Sequence, residues 1–77
     1  MEQDTIKEVV SKTLGIDPSK ALDSLRRESI DEWDSFNHLM LMSELEKKLK
    51  IKFTTQEVEK VQTIKEIRAL AMQKQKQ

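Results

Sequence analysis

Trp33-Asp34-Ser35-Phe36-Asn37-His38-Leu39 is the stretch on which the reading of this chain turns. An acidic residue, a serine and a bulky apolar residue open an amphipathic pattern that runs on to about Lys50. Leu41, Leu45 and Leu49 recur every fourth residue with Met42 beside them, which predicts a helix with one core-facing stripe. Phe36, Leu39 and Met40 fall on a different part of the circumference, close to the start. A helix that is apolar on two sides near its N-terminus either has its second patch covered by a neighbouring loop or shows it to a partner. Taken alone, Asp34-Ser35 reads as a helix cap. Trp33 and His38 then take the two positions of a hydrophobic staple, which gives the histidine a packing role.

Upstream, Ile6, Val9, Val10 and Leu14 form one apolar stripe. They predict a first helix from about Glu2 or Gln3 to Leu14, with Thr5 and Glu8 at capping-box spacing. Gly15, Ile16 and Pro18 give its stop signal. Ile16 to Asp34 is a long connection in which Asp17-Pro18 can start a short helical turn. Leu22, Leu25 and Ile30 are its apolar points for docking on the core. Long ordered loops in small domains are more often functional than not.

Downstream, Lys47, Lys48, Lys50 and Lys52 complement the negative end of the second helix. Ile51 and Phe53 form a short inward-facing link. Thr54 or Thr55 caps a short third helix containing Gln56 to Lys60, with Val58 and Val61 as its contacts. Thr63 and Glu66 make a capping box that opens a fourth helix, whose stripe is Ile64, Ile67, Leu70 and Ala71. Residues 73–77 have no apolar face and are expected to fray. The expected fold is all-α: a small bundle of three main helices plus a short third helix, with a long loop between helices 1 and 2, as a single domain over residues 1–77.

Composition narrows the function. The chain of 77 residues has one Gly and one Pro, too few for a turn-rich β fold. Acidic and basic side chains balance at 14 each, without the basic excess of a nucleic-acid binder. There is no cysteine, so disulfides, thiolate metal sites and a protein thiol nucleophile are excluded, and any thiol chemistry must come from a cofactor. No apolar run approaches the ~18 residues of a membrane span, the start Met1-Glu2-Gln3-Asp4 does not read as a signal peptide, and the expected compartment is the cytoplasm.

His38 is the single histidine, so no histidine-rich metal site is expected. It lies three residues after Ser35, but no acid sits at a spacing that orients it and no glycine is near for an oxyanion hole. Asp31 with Asp34, and Glu44 with Glu46, read as solvated carboxylates rather than acid–base pairs. Ser35 has one further use. The free N–H groups and positive dipole end of a helix N-terminus favour an anion, and a phosphodiester on the serine oxygen would be such an anion.

From Trp33 to about Leu70 the chain resembles the acyl carrier protein family. The family motif Asp-Ser-Leu reads here Asp34-Ser35-Phe36, followed at family-like spacing by Leu41, Leu45-Glu46, Leu49, Ile51, Phe53-Thr54, Val61 and Thr63-Ile64. The end of the first helix at Leu14-Gly15-Ile16-Asp17-Pro18 is similar too. The literal triplet also occurs at Asp23-Ser24-Leu25, but charged residues follow it and no sustained apolar stripe begins there.

The resemblance implies a 4′-phosphopantetheine arm on Ser35, attached by a phosphopantetheinyl transferase that reads Asp34 as well. It implies a non-enzymatic, monomeric carrier of an acyl or aminoacyl thioester, delivering to acyl-activating, acyl-transfer or condensing enzymes that dock on Phe36, Leu39, Met40, Glu44 and Glu46. Typical members have a strongly acidic second helix. Here Met40 and Lys47-Lys48 dilute it, which points to a dedicated partner set and a specialised biosynthetic pathway. The alternative is a small helical interaction module that binds a partner through Phe36, Leu39 and Met40 and is never modified.

Overall fold

The computed structural model describes residues 4–75, and its order is α1 (Thr5–Leu14), a single 3-10 turn (Pro18–Lys20), α2 (Ser35–Leu49), α3 (Thr55–Lys60) and α4 (Ile64–Gln75). The chain is a small all-α fold, with three longer helices, a short third one and the long loop between α1 and α2. No strand occurs among the described residues, only one isolated antiparallel bridge between Arg26 and Thr63.

α1 begins differently from the Thr5/Glu8 box that the spacing suggests. Asp4 is the cap, its carboxylate accepting from the Lys7 N–H at 3.1 Å, because its side chain reaches the first turn and Thr5 is already helical. The expected start at Glu2 or Gln3 lies outside the described residues. At the other end Gly15 takes the left-handed conformation at φ 68°, and the Ile16 N–H returns to the Ser11 carbonyl at 3.0 Å. Asp17 caps the turn that Pro18 starts, accepting from the Ser19 N–H at 2.9 Å.

The core forms where the stripes meet. Ile6, Val9, Val10 and Leu14 of α1 are buried with Leu41, Met42 and Leu45 of α2, Val61, and Ile64, Ile67 and Ala71 of α4. Burial at roughly 25 cal/mol per Å² of apolar surface is what drives these amphipathic segments together. The loop contributes Ala21 and Trp33 to the interior, with Leu25 and Ile30 packed against it, while Leu22 stands exposed. Leu22 is therefore not a docking point; the smaller Ala21 beside it takes the inward position.

The loop is ordered by backbone pairing with the start of α4. Lys65 N–H donates to Asp23 O at 2.9 Å, Ile64 N–H to Leu25 O at 3.2 Å, and Arg27 N–H to Gln62 O at 2.8 Å. The Arg27 guanidinium also donates to the carbonyls of Glu59 and Val61, both at 3.1 Å, and so closes the C-terminal end of α3. Thr54 is the expected cap of α3 and forms a capping box with Glu57, and the predicted Thr63/Glu66 box opens α4. α4 runs past the expected fraying point at residue 73. Lys74 meets Glu57 at 2.8 Å, which ties the last turn to α3, and residues 76–77 lie outside the described residues.

Candidate functional site at the start of α2

The N-terminus of α2 is a clamped loop with Ser35 and Phe36 at its tip. Asp34 is the N-cap, with Oδ1 accepting from the Asn37 N–H at 2.8 Å and its carbonyl accepting from the His38 N–H at 2.8 Å. Further back, the Asn37 side-chain amide donates to Glu32 O at 2.7 Å. Ser35 is exposed, at the first helical position. There the amides of Ser35 and Phe36 have no carbonyl within the helix to pair with, so the serine hydroxyl sits beside free N–H groups and the positive end of the helix dipole.

Beneath the tip lies the buried pair that the staple spacing predicts. Trp33 and His38 are each almost wholly enclosed, with ring centroids 6.1 Å apart. The indole Nε1–H donates to His38 Nδ1 at 3.0 Å, and His38 Nε2 lies 2.7 Å from the Val58 carbonyl. A carbonyl only accepts and an indole N–H only donates, so the imidazole is neutral with its proton on Nε2. Burial pushes its pKa below the ordinary value; the bond to Val58 opposes that shift and the positive charge of Arg27 adds to it. With both nitrogens engaged, His38 has no lone pair to offer Ser35 as a base.

The exposed side of α2 is apolar around the serine. Phe36, Leu39 and Met40 are 70%, 61% and 44% exposed, so the long loop does not cover them. Phe36 and Met40 line an open groove of about 350 Å³ against α1, with Val9 at its floor and Glu8, Lys12, Glu44 and Lys48 around it. Leu39 lies on the opposite flank, in a groove of about 260 Å³ shared with Met42, Phe53 and Val58.

The two acidic residues expected to meet partners differ. Glu44 is on the groove rim, with Lys47 at 3.9 Å. Glu46 is half-buried beside the Leu39 groove, and its Oε2 accepts from the Phe53 N–H at 2.7 Å, fixing the link between α2 and α3. An ordinary i+7 reach onto a backbone amide leaves no pattern in the sequence, and this tie gives Glu46 a structural role as well.

Ser24, in the literal triplet, is exposed in a turn with no helix after it. Its neighbour Asp23 accepts from Arg68 at 3.1 and 3.2 Å, and the same guanidinium makes a bidentate bond to Asp4 at 2.9 Å on both arms. That hydrogen bond holds the Asp4 carboxyl below its ordinary value. Arg68 is a joining residue that local sequence reading misses, because its partners lie 45 and 64 positions away.

Neither protein-family models nor curated proteins yield a match to this chain. Among the described residues no group of His, Cys, Asp and Glu is placed to hold a metal ion, and no helix is long and apolar enough to cross a membrane.

Proposed function

We propose that this chain is a carrier protein whose working residue is Ser35, esterified through its hydroxyl oxygen to a 4′-phosphopantetheine arm. The observation that carries the reading is the exposed serine at the first position of α2, on a clamped tip and flanked by an exposed apolar ridge. The residues present fit the group. The hydroxyl is accessible to a transferase, and the amides of the first turn favour the negative phosphodiester. When attached, the arm supplies the thiol that the cysteine-free chain lacks, on which an acyl or aminoacyl group is held as a thioester.

The chain's own residues then have simple duties. Ser35 Oγ provides the ester oxygen: it loses its proton and attacks the phosphorus on the pantetheine side of coenzyme A's pyrophosphate, and adenosine 3′,5′-bisphosphate leaves. Asp34 fixes the first turn and offers the transferase a carboxylate beside the serine. Phe36, Leu39 and Met40 give partner enzymes an apolar footing around the arm's base, and tethering raises the local concentration of the cargo at their active sites. The reading includes monomeric action in the cytoplasm; the dilution of the acidic face of α2 by Met40 and Lys47-Lys48 favours a dedicated partner set in a specialised biosynthetic pathway. The same ridge would serve an interaction module that is never modified.

Intact mass separates the two. The wild type, incubated with coenzyme A and each of several broad-specificity phosphopantetheinyl transferases, gains one arm and with it a free thiol. Ser24→Ala gains it as well, and Ser35→Ala does not. An unmodified wild type with every transferase leaves the interaction module as the better reading.

A further inference from the structure

Four ties surround Ser35. Glu32 O is held by the Asn37 side chain, Trp33 Nε1 by His38 Nδ1, Asp34 Oδ1 by the Asn37 N–H, and Asp34 O by the His38 N–H. All of them run from residues 32–34 to residues 37–38, and Ser35 and Phe36 are what remains at the tip. The Trp33–His38 bond is buried while both Asn37 ties are exposed, and of the side-chain ties only it continues onward, through His38 Nε2 to Val58 of α3. A buried hydrogen bond between groups with no water available is expensive to break, whereas the exposed ties can exchange with solvent.

We propose that His38 is the positioning residue of the modification site: through its bond to the Trp33 indole it holds the loop that presents Ser35. The proposal rests on the carrier reading for its kinetic consequence, though not for its structural one. Both imidazole nitrogens of His38 are engaged away from the serine hydroxyl. His38 acts through Trp33, and Val58 fixes which imidazole nitrogen carries the proton and so which one accepts from the indole. The α3 contact thereby sets the tautomer on which the presentation of Ser35 depends.

Two isosteric replacements split the relay. In His38→Asn the side-chain oxygen stands where Nδ1 accepted from Trp33, and the reach to Val58 is lost. In His38→Gln the amide nitrogen stands where Nε2 met Val58, and the acceptor for Trp33 is lost. Trp33 is the single tryptophan, so its indole N–H gives one assignable NMR signal. The expected result is that His38→Asn keeps the hydrogen-bonded indole signal and is modified at close to the wild-type rate. His38→Gln loses that signal, exchanges the Ser35 and Phe36 amides faster, and falls about tenfold in kcat/KM as transferase substrate, chiefly through KM. Trp33→Phe, which retains His38 but removes the donor, falls with it and serves if His38→Asn does not fold.

A purely structural role predicts something else: modification would track global stability, and the Asn and Gln variants would not separate in that order. Equal rates, or a faster Gln variant, overturn the proposal. If the wild type takes no arm from any transferase, the carrier reading fails. Amide exchange at Ser35 and Phe36 then decides the positioning role alone, with equal exchange in the Asn and Gln variants refuting it.

Discussion

The chain contains two Asp-Ser-apolar triplets, and they do opposite work. At Asp23-Ser24-Leu25 the flanking residues are spent on the fold: Asp23 binds Arg68 and the Lys65 amide, and Leu25 packs on the core while its carbonyl takes the Ile64 amide. The serine is left in an exposed turn with no helix behind it. At Asp34-Ser35-Phe36 the aspartate closes a helix end, the serine opens fifteen residues of helix, and the apolar residue faces solvent. A tripeptide acquires its role from the residues downstream of it. After Ser24 come Arg26, Arg27 and Glu28, with no stripe to bury. After Ser35 come Leu41, Leu45 and Leu49 at helical spacing, and burial of that stripe forces the helix and sets its N-terminus at the serine.

The contrast can be broken at its anchors. The largest effect is expected from Trp33→Ala, which empties the space of the largest enclosed side chain and strands His38 Nδ1 without its donor. The expected loss is about 3–5 kcal/mol, comparable with the whole stability of so small a domain. The check is thermal or urea unfolding followed by far-UV circular dichroism, in which the cooperative transition should be lost or shifted far down. An unchanged transition would mean that the second triplet does not depend on this anchor.

Arg68→Gln attacks the first triplet, with an expected cost of about 1 kcal/mol, since its carboxylate partners are half in solvent and can be rehydrated. This change also has a pH signature. Arg68 holds the Asp4 carboxyl below 3.8, so its contribution is present above that pH and is lost as the pH falls through the lowered value. The difference between wild type and Arg68→Gln in urea unfolding should therefore be larger at neutral pH than in strong acid. Equal differences under both conditions would assign the effect of Arg68 to packing instead.

The smallest effect on the fold belongs to Phe36→Ser. The ring is 70% exposed, so stability should change by no more than about 0.5 kcal/mol, while loading of the arm and transfer to partner enzymes should slow. A large drop in the unfolding midpoint would show that the ring packs in solution and is not a docking residue.

Much of the architecture is legible in the chain itself. The stripes, the Gly15 stop, the turn at Asp17-Pro18, the Thr54 cap, the Thr63/Glu66 box and the Trp33/His38 staple are each written in residues a few positions apart, where spacing alone carries the information. The exposure of Phe36, Leu39 and Met40 also agrees with their place on the circumference. What the sequence hides is long-range or commonplace in form: Arg68 reaching Asp4 and Asp23, Arg27 closing α3, Glu46 bonded to the Phe53 amide. Charged residues occur everywhere on such a surface, and only the assembled fold shows which are committed. The staple carries one surprise as well. Its spacing predicts contact, but the hydrogen bond from indole to imidazole and on to Val58 depends on where α3 comes to rest.

The most direct test of the difference between the triplets is peptide mapping of the modified protein. Trypsin cuts at Arg26 and Arg27, which places Ser24 and Ser35 on different peptides. After reaction with coenzyme A and a broad-specificity transferase, tandem mass spectrometry should find the phosphopantetheine arm on Ser35 and leave the Ser24 peptide unmodified. An arm on Ser24, or on any serine other than Ser35, would contradict the assignment.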